Sequence, residues 1–202
     1  MALPVFYGPD SDFTVWSELF NKDVTADQAE AYDGVDNRAD LMRAPNLGGE
    51  GFVAIFKSGA PFSALTSGQI YSWILYAKLA PGSTIDKVRI FTRSYDADLA
   101  TTFTLTGAGK VFNSTNLYAG IERVTNGYYK CIIHMSTITD LSGAARIYLV
   151  ANNGVDSQVP LDGVAGLYIS DFTVLEGEEF AANSLTNTGP GLTFGMMGKM
   201  GA

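Results

Sequence analysis

Charge is what this chain has least of. Only 17% of its 202 residues are Asp, Glu, Lys or Arg, against about a quarter in ordinary globular domains. Thirteen Lys and Arg face 21 Asp and Glu, for a net charge of −8, and the basic residues nowhere cluster. A nucleic-acid groove needs concentrated positive charge to release phosphate counterions, so that class of function is excluded. No run approaches about 18 consecutive apolar residues, so no membrane-spanning helix is expected. The opening MALPVFYGPDSDF shows no basic stretch followed by an apolar core, so no secretory leader is read there. One cysteine, Cys131, excludes an internal disulfide and a cysteine-based metal cage. One histidine, His134, leaves a Ser-His-Asp triad or a His-based metal site poorly supplied. Both lie in YYKCIIHM, where alternation reads Cys131 as an inert core residue and His134 as structural.

The search for catalytic motifs is equally thin. No G-x-S-x-G elbow is present. TLTGAGK ends like a phosphate loop, but Thr104 stands at the first glycine position and no Ser or Thr follows Lys110. Sandwich-shaped glycosidases use two carboxylates about 5 to 9.5 Å apart. Asp96 and Asp98 have alternate spacing but fall in a turn region; Glu176, Glu178 and Glu179 close the last strand. Both groups read as solvated loop acids, and no catalytic residue is assigned. YDGVDNRAD offers Asp33, Asp36, Asn37 and Asp40 as oxygen ligands for calcium, without the spacing or terminal Glu of an EF-hand loop. No metal or other cofactor is assigned.

What the chain does have is aromatic and β-branched residues in alternation. Ten Tyr, twelve Phe and two Trp supply ample apolar area for a core. From residue 52 onward the period is two, in FVAIF (52–56), QIYSWILYAKL (69–79), DKVRIFTRSY (86–95), TTFTLTG (101–107), YYKCIIHMS (128–136), ARIYLVAN (145–152) and GLYISDFTVLEG (166–177). Alternation points Trp73, Leu75, Tyr129, Cys131, Ile133, Ile147, Leu149, Leu167 and Ile169 inward. FTVWSELF (13–20) reads as a first strand. VTADQAEAY (24–32) is the best helix candidate, with Thr25 and Gln28 at capping-box spacing; a short strand is read at 38–43. Seven or eight strands without a long helix between them predict an all-β chain, an antiparallel jelly-roll β-sandwich over 13–179. Residues 1–12 read as a lead, and 180–202 as an extended Gly/Met-rich tail. That tail carries too many apolar residues for a free one, so Phe194, Met196 and Met197 are expected to anchor it on a partner.

Three tyrosines, Tyr128, Tyr148 and Tyr168, fall on the face opposite the core residues of their strands. An aromatic ring with a hydroxyl suits a sugar, so these are the candidate carbohydrate-binding residues. The alternative is cross-strand packing or burial under a subunit interface.

Three motifs carry a resemblance. Tyr71, Ser72, Tyr76, Lys78 and Gly82 match a Y-x-F-S-x-Y-x-K-x-G type strand. Asn126, Gly127, Tyr129 and Cys131 match an N-G-W-Y-R-C turn, with Tyr128 and Lys130 in place of Trp and Arg. Gly166, Tyr168, Glu176 and Gly177 match a closing strand. Together, over about residues 50–178, they resemble a jelly-roll module of tailed-bacteriophage virion proteins that is similar to carbohydrate-binding modules. The resemblance implies a non-enzymatic virion structural protein, a capsid decoration or a head or tail appendage. It would be made in the host cytoplasm, and its partners would be other virion proteins and copies of itself. The alternative it implies is a glycan-binding adhesion module with a surface glycan as partner; a glycan hydrolase on the same sandwich stands third. The closing strand and the turn both lack the Trp of the pattern, which removes the residues best suited to stack on sugar.

Overall fold

Glycine, proline, asparagine and aspartate cut the chain into short β-branched and aromatic runs, and these runs pair as strands. The computed structural model describes residues 2–182 apart from 22, 36–37, 59–61, 63–64, 67, 94–97, 137–144 and 152–157. Its strands are β1 (Val5–Asp10), β2 (Ser17–Phe20), β3 (Val24–Ala29), β4 (Ala39–Arg43), β5 (Asn46–Phe52), β6 (Ala54–Lys57), β7 (Ile70–Leu79) and β8 (Lys87–Arg93). They continue as β9 (Asp98–Thr104), β10 (Lys110–Ser114), β11 (Tyr118–Arg123), β12 (Tyr129–Ser136), β13 (Ala145–Val150), β14 (Gln158–Asp162) and β15 (Gly166–Glu176). Among the described residues there is no α-helix. A seven-stranded sheet runs β11-β12-β7-β15-β4-β3, with β1 also paired to β15. A six-stranded sheet runs β10-β9-β8-β13-β6-β2, and β14 with β5 forms a separate ribbon. Every strand pairing among the described residues is antiparallel. The chain is an antiparallel β-sandwich.

The two sheets close on one core, and the nine residues that alternation points inward all lie in it. Trp73 sits at its centre, edge-on to Phe172 with ring centroids 5.7 Å apart and stacked on Phe62 at 5.4 Å. Trp16 also meets Phe172 edge-on, with centroids 5.4 Å apart. Each such side chain contributes roughly 1.5 to 3 kcal/mol by leaving water. Cys131 is fully buried there, and that burial pushes its thiol pKa up.

Three segments differ from their sequence reading. The expected helix at 24–32 is instead β3, because Val24 and Thr25 pair with Met42 and Leu41 of β4. Asp27 then takes a φ of 56° and donates its amide to Asp40 Oδ1 at 3.0 Å. Pairing with a neighbour overrides a weak, alanine-based helix preference. FTVWSELF begins as a 3-10 turn, Phe13–Val15, with the Asp12 side chain accepting from Thr14 N; strand β2 follows. That turn brings Phe13 and Trp16, three residues apart, into the same core. The apolar lead contains β1, which lies along β15 in register Val5↔Leu175 and Asp10↔Phe172. Gly8 permits the close approach: at its φ of +92°, a Cβ would stand 2.5 Å from the Phe172 carbonyl oxygen.

The turn Asn126-Gly127 joins β11 to β12, and both residues have positive φ, 55° and 76°. It sets the register Arg123↔Tyr129, which sends Tyr129 and Cys131 into the core and Lys130, Ile132 and His134 to the outside.

Candidate binding face

The outer face of the seven-stranded sheet holds two networks of ion pairs, around Arg38 and around Lys130. Register lines its side chains into rows across the strands. The first row runs Leu41, Tyr168, Lys78, with Tyr128 at the entry to β12. A second runs Asp171, Tyr76, Lys130, Glu122, and below it come Thr173, Ile74, Ile132 and then Leu175, Ser72, His134, Tyr118.

A β-bulge shapes the second row. Ile169 pairs with Ala77 and Asp171 with Tyr76, so Ser170 is the extra residue. Both Ser170 and Asp171 engage groups lying over the outer face: Tyr32 N donates to Ser170 Oγ at 3.3 Å, and Arg38 Nη2 to Asp171 Oδ2 at 2.8 Å. Strict alternation would have put Asp171 in the core with Ile169. The bulge re-aims it, as bulges do. Asp171 is almost wholly buried, its Oδ1 has no hydrogen-bond partner among the described residues, and burial raises its pKa while Arg38 opposes that. Arg38 also reaches Asp33 Oδ2 at 3.1 Å.

Residues 30–35 cross this face near the first two rows. Tyr32 stacks on Tyr76 with centroids 3.7 Å apart and planes 11° from parallel. Thr125 Oγ1 donates to the Tyr32 carbonyl, Asn126 Nδ2 to the Ala31 carbonyl at 3.1 Å, and Tyr128 Oη to the Glu30 carbonyl at 2.8 Å. Burial pushes the Tyr76 phenol up in pKa, with Tyr32 and Glu122 adding to the effect, and does the same for Tyr128.

Residues 177–182 strap the lowest row. Ser72 Oγ donates to the Gly177 carbonyl and accepts from Glu179 N, both at 2.7 Å. His134 Nε2 lies 2.6 Å from the Glu179 carbonyl, and its ring clusters with those of Tyr118 and Phe180. Ala182 N donates to Glu122 Oε2 at 2.6 Å. Lys130 Nζ sits between Glu179 Oε1 at 2.7 Å and Glu122 Oε1 at 3.5 Å. The strap covers Ile74 and Ile132 with Ala181 and leaves the first row half open.

Of the tyrosines singled out from sequence, two meet here. Tyr168 is half-buried and Tyr128 buried, and Lys78 Nζ lies 4.3 Å from the Tyr128 centroid and 5.5 Å from that of Tyr168. Tyr148 belongs elsewhere: it is buried on the outside of the six-stranded sheet, against Phe91, Ala54 and Val150. Phe194, Met196 and Met197 lie outside the described residues. So do Asp36, Asn37 and Asp96. Of the calcium candidates that are described, Asp33 pairs with Arg38, and Asp40 is buried, accepting from Phe13 N and Asp27 N. Among the described residues no group of three or more His, Cys, Asp or Glu could hold a metal ion, and no helix is long and apolar enough to cross a membrane.

Tyr76 and Lys78 were legible on this face from alternation alone. Tyr32 and Arg38 were not, since only the fold brings them over β7 and β15.

No family profile matches the chain, and no characterised protein matches it by sequence. Solved structures are similar in chain path. One is the CBM22-1 and GH10 modules of Clostridium thermocellum endo-1,4-beta-D-xylanase 10B complexed with xylohexaose, with 14% identity and a TM-score of 0.49. The match covers 91% of this chain but only 30% of that one. Another is the CBM22-1 xylan-binding domain of Paenibacillus barcinonensis Xyn10C, at 14% identity and a TM-score of 0.43, covering 87% of this chain and 92% of that one. A third is TmCBM27, a mannan-recognising carbohydrate-binding module, at 11% identity and a TM-score of 0.36, covering 88% of this chain and 97% of that one.

Proposed function

We propose that the first row of this face binds a glycan, and that the protein is a non-catalytic carbohydrate-binding module. The observation that carries the reading is a partly exposed Tyr168 beside Lys78, one row from the Arg38–Asp171 pair on the outer face of the sheet. A tyrosine ring offers an apolar face to the C–H side of a sugar and a hydroxyl to its rim. Ligand sites join such rings to a few fixed polar groups. Three of the carboxylates on this face support a binding role over a hydrolytic one. Asp171 is held by Arg38, and Glu122 and Glu179 by Lys130, so each is committed to an ion pair.

Display on a virion rests on the motif resemblance, and no feature of the fold adds to it. It concerns where such a module would sit, while the face concerns what it would hold.

Affinity electrophoresis against a panel of soluble polysaccharides tests the reading. Retardation by at least one member is expected, with Tyr168→Ala weakening it about tenfold, the loss of a stacking contact. A wild-type chain retarded by none, or a Tyr168→Ala chain retarded equally, refutes it.

A further inference from the structure

Three cations stand near the open row, and they are not equivalent. Arg38 is bracketed by Asp33 and Asp171, and Lys130 by Glu122 and Glu179. Lys78 has no carboxylate oxygen within ion-pair distance among the described residues, and its one described hydrogen bond is a long one, 3.5 Å to the Asn126 carbonyl. Its ammonium also lies over Tyr128 and beside Tyr168. An ammonium has three donors, and here at least two remain for a ligand. Burial lowers the pKa of Lys78, with the nearby Glu30 opposing; Glu30 in turn accepts from Asn126 Nδ2 at 3.1 Å. A half-desolvated charge gains most from an anionic acceptor.

The flanks argue against a run of anions. Each bracketed cation carries two carboxylates in or near the neighbouring row, and the whole chain is net negative at −8. A polyanion laid along the face beyond Lys78 would meet like charge rather than further free cations.

Resting on the glycan reading above, we propose that the face selects sparsely acidic glycans: an otherwise neutral chain bearing an isolated uronic acid, whose carboxylate Lys78 holds while Tyr168 stacks on a sugar ring. Lys78 is the specificity-determining residue, and Tyr168 serves acidic and neutral chains alike.

An array of oligosaccharides carrying one glucuronic acid each, paired with their carboxyl-reduced counterparts and set beside oligogalacturonate, tests it. The wild-type chain is expected to favour the acidic member of a pair about tenfold, as for a hydrogen bond to a charged group. It should bind oligogalacturonate more weakly than the singly charged chain. Lys78→Met should erase the preference by weakening the acidic member far more than the neutral one, Lys78→Arg should retain it, and Tyr168→Ala should weaken both members. Unchanged near-ultraviolet circular dichroism checks that each variant is folded. Equal loss on both members in Lys78→Met, a wild-type preference for the neutral member, or tighter binding of oligogalacturonate overturns this inference while the glycan reading stands. Binding of no spot by the wild-type chain overturns both.

Discussion

Replacing Arg38 with Met tests how the bulge at Ser170 is held together. The Arg38 guanidinium is the one cation bonded to Asp171 among the described residues, and the Asp171 side chain is only 2% exposed. Without it, Asp171 Oδ2 keeps the Ser170 hydroxyl at 3.3 Å and Oδ1 keeps nothing described. Removing one partner of a buried pair costs about 3 to 5 kcal/mol. Arg38 is itself 34% exposed, so solvent screens the pair and the lower end applies, about 3 kcal/mol. For a chain of this size that lowers Tm by about 6 to 12 °C. The pH dependence carries the sign. Burial holds the Asp171 pKa above its ordinary 3.8, and losing Arg38 removes what opposes that shift. The folded variant therefore favours the neutral acid. Its deficit should be small below the unfolded pKa and grow as pH rises through the raised folded one. Chemical denaturation of Arg38→Met from pH 4 to 8, alongside Asp171→Asn and the double variant, measures this. The double variant should recover much of the loss. A deficit under about 0.5 kcal/mol, or one flat across that range, would refute the reasoning.

Two further outcomes are expected. Burial holds His134 below its ordinary pKa of 6.5, against the opposing Glu179 carbonyl and the Glu178 and Glu179 carboxylates. The folded chain favours the neutral imidazole, so stability present above about pH 6.5 is lost as pH falls through the lowered folded pKa. Thermal melts of the wild-type chain should show this acid limb and His134→Gln should lack it; identical profiles would show that the strap does not read that proton. Cys131, fully buried with its thiol pKa pushed up, should not react with a thiol reagent in buffer and should titrate as one equivalent in denaturant. Rapid labelling of the native chain would contradict its place in the core.

The alternation in QIYSWILYAKL, YYKCIIHMS, ARIYLVAN and GLYISDFTVLEG was enough to assign the β-sandwich and the inward side of four strands. A pleated strand has a period of two, and one buried face forces the pattern into the residues. Asn126-Gly127 marked its turn for a similarly local reason, since two positive φ angles favour those residues. Local signals misled where the partner lay far off in sequence. Thr25 and Gln28 look like a helix cap, yet β4 captures that segment as a strand. Tyr148 and Tyr168 look equivalent in their strands, yet one is packed beneath Phe91 and the other lies half open beside Lys78. The rest of the site, beyond Tyr168, Tyr76 and Lys78, was out of reach of the sequence for the same reason. One extra residue at Ser170 turns Asp171 outward, and only then can Arg38 bind it. Tyr32 reaches Tyr76 because the 125–128 turn grips the backbone at Glu30, Ala31 and Tyr32. Period and turn chemistry are properties of neighbouring residues and can be read along the chain. A bulge and a loop laid across a sheet depend on which strands finally pair, and that is decided only when the two sheets close on their core.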